Sequence, residues 1–199
     1  MTIKVCGITN AEDAEAAVAG GATAIGFNFF PRSPRYITPE TAAAIPTAGV
    51  VRVGVFVNES PARIAEIARR AGLDVAQLHG DETPADYPEG LPVWKAARVD
   101  ERFDLSRYTD TPAAALLLDG PAAEMYGGSG RAFDWRLAAQ SSKRIIVAGG
   151  LDASNVALAV ELAHPWGVDS CSRIESAPGK KDLKKMYEFL QAARAALGA

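Results

Sequence analysis

The chain has 199 residues, of which 48% are hydrophobic and 23% are charged, and its formal net charge is −3. This composition predicts one soluble globular domain and argues against nucleic acid or an anionic membrane as a main partner. The two cysteines, Cys6 and Cys171, are far apart in sequence, which favours a reduced, cytoplasmic setting over a disulfide-rich secreted scaffold.

Two further functional classes are not expected from the sequence. No basic start is followed by an apolar stretch, and no run of about 18 apolar residues occurs, so we expect neither a signal peptide nor a membrane span. The only histidines, His79 and His164, have no spaced Cys, His or Asp partner, so we expect no metal.

Strand-like runs alternate with helical runs along the whole chain. The β-branched run from Thr2 to Cys6 predicts a first strand, and the turn after it leads into a helix from Ala11 to Ala19 capped by Thr9 or Asn10. Further strands are predicted over residues 22–28, 50–57, 75–78, 92–96, 113–118, 145–148 and 167–171. Helices are predicted over residues 39–44 and 61–71, from 133–135 onward, up to 163 after a cap at Asp152 or Ser154, and over 181–197.

Eight successive strand and helix pairs predict a single (β/α)₈ barrel that spans residues 1–199. About 25 residues per unit is compact for this fold, so the fourth and fifth helices must be short. A doubly wound open sheet is the alternative.

Cys6 and Asp119 are both predicted at the carboxyl ends of strands, where parallel α/β proteins bind ligands. A thiolate base and a carboxylic acid that face each other across a barrel mouth can transfer protons. The alternatives are that Cys6 packs as a small hydrophobic residue and that Asp119 points to solvent in a turn with Gly120.

Glycines follow two later strands. Gly149 and Gly150 end the seventh strand, and with Ser172 after the eighth they lie where such barrels hold phosphate, although a tight turn into a helix is the alternative. The loop with Gly127, Gly128, Ser129 and Gly130 predicts either a simple connection or a lid, and its length favours function.

Three other side chains have two interpretations each. Lys95 could form a Schiff base, but a solvated tip or phosphate contact is more usual. His79 could be a general base, although a turn histidine bonded to backbone is more usual. Arg35 could bind a carboxylate or lie on the surface.

Motifs at nearly every predicted loop resemble those of the phosphoribosylanthranilate isomerases, a tryptophan-pathway family. The matching segments are residues 4–9, 26–29, 33–37, 77–80, 118–119, 127–130, 133–135, 148–151, 155–156, 175–176, 178–179 and 181–182. As an ordered set this resemblance is highly specific, whereas any single segment would not be.

The resemblance implies a (β/α)₈ barrel without a cofactor that converts N-(5′-phosphoribosyl)anthranilate to 1-(2-carboxyphenylamino)-1-deoxyribulose 5-phosphate. It implies Cys6 as general base and Asp119 as general acid. The other implied roles concern substrate binding: Arg35 faces the anthranilate carboxylate, Gly149, Gly150, Ser172 and Arg173 form the phosphate cradle, and Asp182 lies near the substrate.

Arg173 departs from the family pattern, which has glycine after the serine of this loop. Arginine adopts a positive φ less readily than glycine, so either the backbone differs here or the guanidinium adds a phosphate contact. The alternative functions are another phosphosugar aldose–ketose isomerase of the histidine-pathway type, which usually needs two carboxylates, and a non-catalytic phosphate-binding barrel. The oligomeric state is expected to be monomer or homodimer.

Overall fold

A computed structural model describes residues 1–100, 102–120 and 134–198. Within them, eight parallel strands close into a barrel in which each strand pairs with the next and the eighth pairs with the first. The strands are β1 Thr2–Cys6, β2 Ala24–Asn28, β3 Val51–Phe56, β4 Val75–Leu78, β5 Val93–Arg98, β6 Ala115–Asp119, β7 Ile145–Ala148 and β8 Gly167–Ser170. The closed order confirms the predicted (β/α)₈ barrel and excludes the open sheet.

Helices cover the outside of the barrel. The α-helices among the described residues are α1 Ala11–Ala19, α2 Pro39–Ala44, α3 Pro61–Ala71, α4 Val156–Ala163 and α5 Leu183–Leu197. Among the described residues between β4 and β7, the connections contain only the 3₁₀ segments Pro84–Asp86, Leu105–Tyr108 and Trp135–Gln140. The prediction that the fourth and fifth helices are short is thus confirmed, whereas the helix expected from 133–135 is a 3₁₀ segment.

Two predicted helix starts were wrong. The N-cap of α4 is Asn155, because the Asp152 carboxylate instead accepts hydrogen bonds from the backbone N and side chain of Ser154 in the preceding turn. The last helix begins at Leu183 rather than Lys181, since Lys180–Lys181 pairs as a short strand, β10, with β9, Glu175–Ala177.

The barrel interior changes from apolar to polar along its axis. A buried cluster of mostly small side chains fills the lower part, where Trp94 packs edge-on against Trp166 with ring centroids 5.8 Å apart. Side chains alternate along β6, so Ala115, Leu117 and Asp119 share the inner face. Charged and polar side chains are therefore concentrated at the upper, carboxyl end of the barrel.

None of the α-helices within residues 1–100, 102–120 and 134–198 is long and apolar enough to span a membrane.

Candidate active site

A cavity of about 330 Å³ opens at the carboxyl ends of the strands. Seven of the eight predicted site residues line it, namely Cys6, Arg35, Asp119, Gly149, Gly150, Ser172 and Arg173. The eighth, Asp182, is outside this lining and caps α5, where its side chain accepts a hydrogen bond from the backbone N of Lys185. The predicted loop at residues 127–130 lies outside the described residues.

Cys6 ends β1 on the inner face of the barrel and is 8% exposed. Hydrogen bonding with the Cys171 thiol holds the pKa of Cys6 well below its usual range, and the charges of Lys4 and Lys181 act in the same direction against the effect of burial. The pKa of Cys171 is raised in turn, first by its interaction with Cys6 and then by burial. Of the two thiols, Cys6 is therefore the one that ionises.

A buried ion pair lies below the two thiols. Lys4 Nζ is 2.9 Å from Asp169 Oδ1, and the lysine side chain is fully buried. Burial raises the pKa of Asp169 to about 7; Lys4 opposes this shift, and the negative charges of Cys6 and Asp119 add to it. The pKa of Lys4 stays above its ordinary value despite burial, because Asp169 and Cys6 stabilise the ammonium. Lys4 is thus a permanent cation at the base of the site.

Asp119 is held by a histidine from a neighbouring strand end. His79 Nε2 lies 3.1 Å from Asp119 Oδ2, and His79 Nδ1 lies 3.1 Å from Gln77 Nε2. The His79 ring therefore joins the Gln77 amide and the Asp119 carboxyl group in one chain of hydrogen bonds. The expectation that the His79 side chain bonds to backbone was therefore wrong, since its ring contacts two side chains.

Arg35 reaches the cavity from the loop after β2. Its Nε and Nη2 donate to Glu175 Oε1 and Oε2 at 2.8 and 2.6 Å, and Lys181 Nζ donates to Oε1 of the same carboxylate at 3.0 Å. Glu175 keeps a pKa below its usual value, because these two cations outweigh the effect of burial. The Arg35 side chain is thereby fixed at the cavity wall rather than free on the surface.

The predicted phosphate cradle is built from two neighbouring loops. Gly149 and Gly150 have φ values of 86° and 67°, which glycine adopts without strain. A Cβ at Gly149 would overlap the carbonyl oxygen of Gly120, so the loop after β7 packs directly against the loop after β6.

Arg173 takes its place in this cradle without needing the backbone of a glycine. Ser172–Ile174 forms a 3₁₀ turn, and Arg173 is not among the residues with positive φ. Its guanidinium Nε and Nη2 lie 2.9 and 2.8 Å from Asp152 Oδ2, so the charge is held at the cavity rim.

Lys95 has none of the three roles considered for it. Its ammonium is buried and donates to Glu82 Oε2 at 2.8 Å and to the carbonyl oxygens of Gly80 and Leu78 at 2.6 and 3.3 Å. Lys95 therefore holds the turn after β4 in place and does not face the cavity of Cys6 and Asp119.

A sequence model of the family described as N-(5′-phosphoribosyl)anthranilate (PRA) isomerase matches residues 3–192 of the chain. The chain belongs to this family. An N-(5′-phosphoribosyl)anthranilate isomerase from Solibacter usitatus is 74% identical over 199 residues, which cover 100% of both chains.

Solved structures of PRA isomerases share the fold closely. The enzyme from Thermotoga maritima is 40% identical, with a TM-score of 0.88 over 98% of this chain and 99% of that one. A second PRA isomerase, in complex with reduced 1-(o-carboxyphenylamino)-1-deoxyribulose 5-phosphate, is 36% identical, with a TM-score of 0.85 over 98% and 99% of the two chains.

Several residues of this PRA isomerase family member escaped the sequence reasoning. Cys171, Asp169 and Lys181 surround Cys6, yet no role was assigned to any of them. The available signal was the inward alternation of β8, which places Asp169 and Cys171 on the face opposite Val168.

Proposed function

We propose that this protein isomerises N-(5′-phosphoribosyl)anthranilate to 1-(2-carboxyphenylamino)-1-deoxyribulose 5-phosphate, with Cys6 as general base and Asp119 as general acid. The observation that carries the proposal is that both side chains line a single cavity with Arg35 and the two glycines after β7. An ionised thiol and a carboxyl group in one pocket are suited to proton transfer at neighbouring sugar atoms.

The reaction begins with ring opening. Asp119 gives a proton to the furanose ring oxygen, the bond from that oxygen to C1 breaks, and the anthranilate nitrogen supplies electrons to form a Schiff base. The hydrogen bond between His79 Nε2 and Asp119 Oδ2 keeps the Asp119 carboxyl group oriented toward the cavity during this step.

The second step removes the proton from C2 of the opened sugar. The Cys6 thiolate takes this proton, and the electrons move to the Schiff-base nitrogen to give an enolamine, which tautomerises to the ketone. Lys4 and Lys181 favour the thiolate before the step, because their positive charges lower the pKa of Cys6.

The substrate has an anion at each end, and the cavity offers a group for each. Arg35, fixed by Glu175, binds the anthranilate carboxylate, while the backbone of Gly149 and Gly150 with Ser172 and Arg173 binds the phosphate. Asp182 near the substrate stays a prediction, as do a cytoplasmic location and a monomeric or homodimeric state.

The test is the loss of anthranilate-type fluorescence when freshly made substrate is mixed with the protein. We expect turnover by the parent, and a loss of about 10²- to 10⁴-fold in kcat in Asp119→Asn and in Cys6→Ser, because each variant removes one proton-transfer group. The control is Glu89→Gln, because Glu89 is exposed in the turn before β5 and does not line the cavity. Turnover by Asp119→Asn equal to that of the parent would contradict its assignment as the acid.

A further inference from the structure

The two cysteines of the chain stand at the same level of two neighbouring strands. The parallel register of β1 and β8 pairs Lys4 with Asp169 and Val5 with Ser170, so the next level pairs Cys6 with Cys171. Adjacent strands are about 4.8 Å apart, which is inside the Cα separation of about 4.4–6.8 Å that a disulfide requires.

The two thiols also point the same way. Lys4 and Asp169, two residues earlier on each strand, meet inside the barrel at 2.9 Å, and side chains two residues apart share a face. Both Cys6 and Cys171 line the cavity, and a Cβ added to Gly7 would lie only 3.0 Å from Cys171 Sγ. Cys171 Sγ therefore lies directly beside the end of β1.

We propose that Cys6 and Cys171 form a reversible disulfide, which makes the floor of this cavity a redox modification site with a hydroperoxide as the oxidant. The disulfide removes the thiolate assigned above as general base, so the consequence for activity rests on the proposed function. The formation of the bond itself does not depend on that role.

The chemistry has two balanced steps. The Cys6 thiolate attacks the terminal oxygen of the hydroperoxide, the O–O bond breaks, and Cys6 becomes a sulfenic acid as the other oxygen leaves as alkoxide, or as hydroxide from hydrogen peroxide. The Cys171 thiol then attacks this sulfur, so the S–S bond forms and water leaves with the thiol proton. Cys6 is oxidised by two electrons, and the peroxide is reduced by two.

The surroundings suit each sulfur to its step. Lys4 is fully buried below Cys6, and Lys181 Nζ lies 4.0 Å from Cys171 Sγ and 3.2 Å from the Cys171 carbonyl oxygen. Cationic neighbours favour thiolate over thiol, and thiolate is the form that peroxide oxidises. Cys171 is more accessible than Cys6, so the resolving thiol is open to the cavity.

The experiment is peroxide treatment of the full chain, followed by intact mass, thiol titration and the fluorescence assay. We expect the parent to lose two hydrogen atoms and both free thiols, to lose activity about tenfold or more, and to regain it with dithiothreitol. Inorganic phosphate at high concentration should slow the inactivation, because it occupies the cavity above the thiols.

Cys171→Ser is the matched variant, and its activity is compared with its own reduced state. Without the resolving thiol, Cys6 should gain oxygen atoms, and the higher oxidation states should resist dithiothreitol. A parent that gains oxygen in the same way, or that forms a disulfide between two chains, would overturn the proposal.

One further outcome separates this proposal from the assignment of the base. If the disulfide forms fully while the activity persists, the proposed control of activity by this disulfide is refuted. The activity of reduced Cys6→Ser tests the base independently, because it involves no oxidation.

Discussion

Lys4 shows how one buried residue can set the chemistry of another. Its side chain is fully enclosed, and Asp169 is its ion-pair partner, while Cys6 lies two residues further along the same strand face. A buried charge persists only where its partners offset the loss of hydration. Here the partners are the Asp169 carboxylate below and the ionisable Cys6 thiol above, and the Lys4 cation stabilises the ionised form of both.

Lys4→Met should raise the pKa of Cys6, because it removes a positive charge that favours the thiolate. The measurement is the rate of alkylation by iodoacetamide as a function of pH, in a Cys171→Ser background that leaves Cys6 as the only thiol. Lys184→Met is the control, because Lys184 is 85% exposed on α5. An unchanged pH midpoint in Lys4→Met would remove Lys4 from the account of the base.

The loops after β6 and β7 act as a single unit at the scale of elements. Gly149 packs so closely on Gly120 that a Cβ would also lie 2.9 Å from Asp119 Oδ1. The predicted phosphate loop therefore forms part of the wall that positions the predicted acid. A shift of either loop must be transmitted to the other.

Gly149→Ala should lower kcat/KM by about 10²-fold, because displacing a reacting group by about 1 Å has effects of this size. The matched control is Gly90→Ala, since Gly90 also has a positive φ, 71°, but an added Cβ there has nothing within 4 Å. Both variants place a Cβ on a backbone with positive φ, which costs about 1–2 kcal/mol. Equal activities in steady-state assays of the two would show that the packing against Gly120 is unimportant.

The charged interior also affects the stability of the whole molecule. The folded-state pKa of Asp169 is about 7 against an ordinary value of 3.8, so between these values the folded chain binds more protons than the unfolded chain. The contribution of this group to the free energy of unfolding therefore falls as pH rises from about 4 to about 7, and it is constant above that range.

Asp169→Asn removes this titration, although it also leaves Lys4 without its carboxylate. The expected result is that the free energy of unfolding of the parent, relative to the variant, decreases between about pH 4 and pH 7. Urea denaturation at several pH values measures the slopes, which matter here rather than the absolute stabilities. Parallel curves would contradict the raised pKa.

The sequence was sufficient to predict the barrel and seven of the residues that line the cavity, because strand ends are marked by local patterns. Asp119 and Gly149 each follow an apolar run, Cys6 follows a β-branched run, and the fold brings such ends together. Contacts between strands that are far apart in sequence were not predictable from local patterns. The pair of Lys4 and Asp169 joins residues 165 positions apart, and it depends on the register between β1 and β8.

The same limit explains the error at His79. A histidine in a turn has no local signal for the carboxylate 40 positions later that its ring contacts. Asp182 differs again, since the structure shows it as the N-cap of α5, whereas its predicted place near the substrate came from the family resemblance alone.

The paired hydrogen bonds between Arg35 and Glu175 have a consequence for the entropy of ligand binding. A free arginine side chain has about 2 kcal/mol of rotamer entropy, and a ligand that orders it must overcome that loss. In this protein the loss already occurs during folding, when the two parallel hydrogen bonds to Glu175 form. A carboxylate that enters the cavity therefore meets a guanidinium already fixed in direction, and its affinity reflects contact rather than the ordering of the arginine.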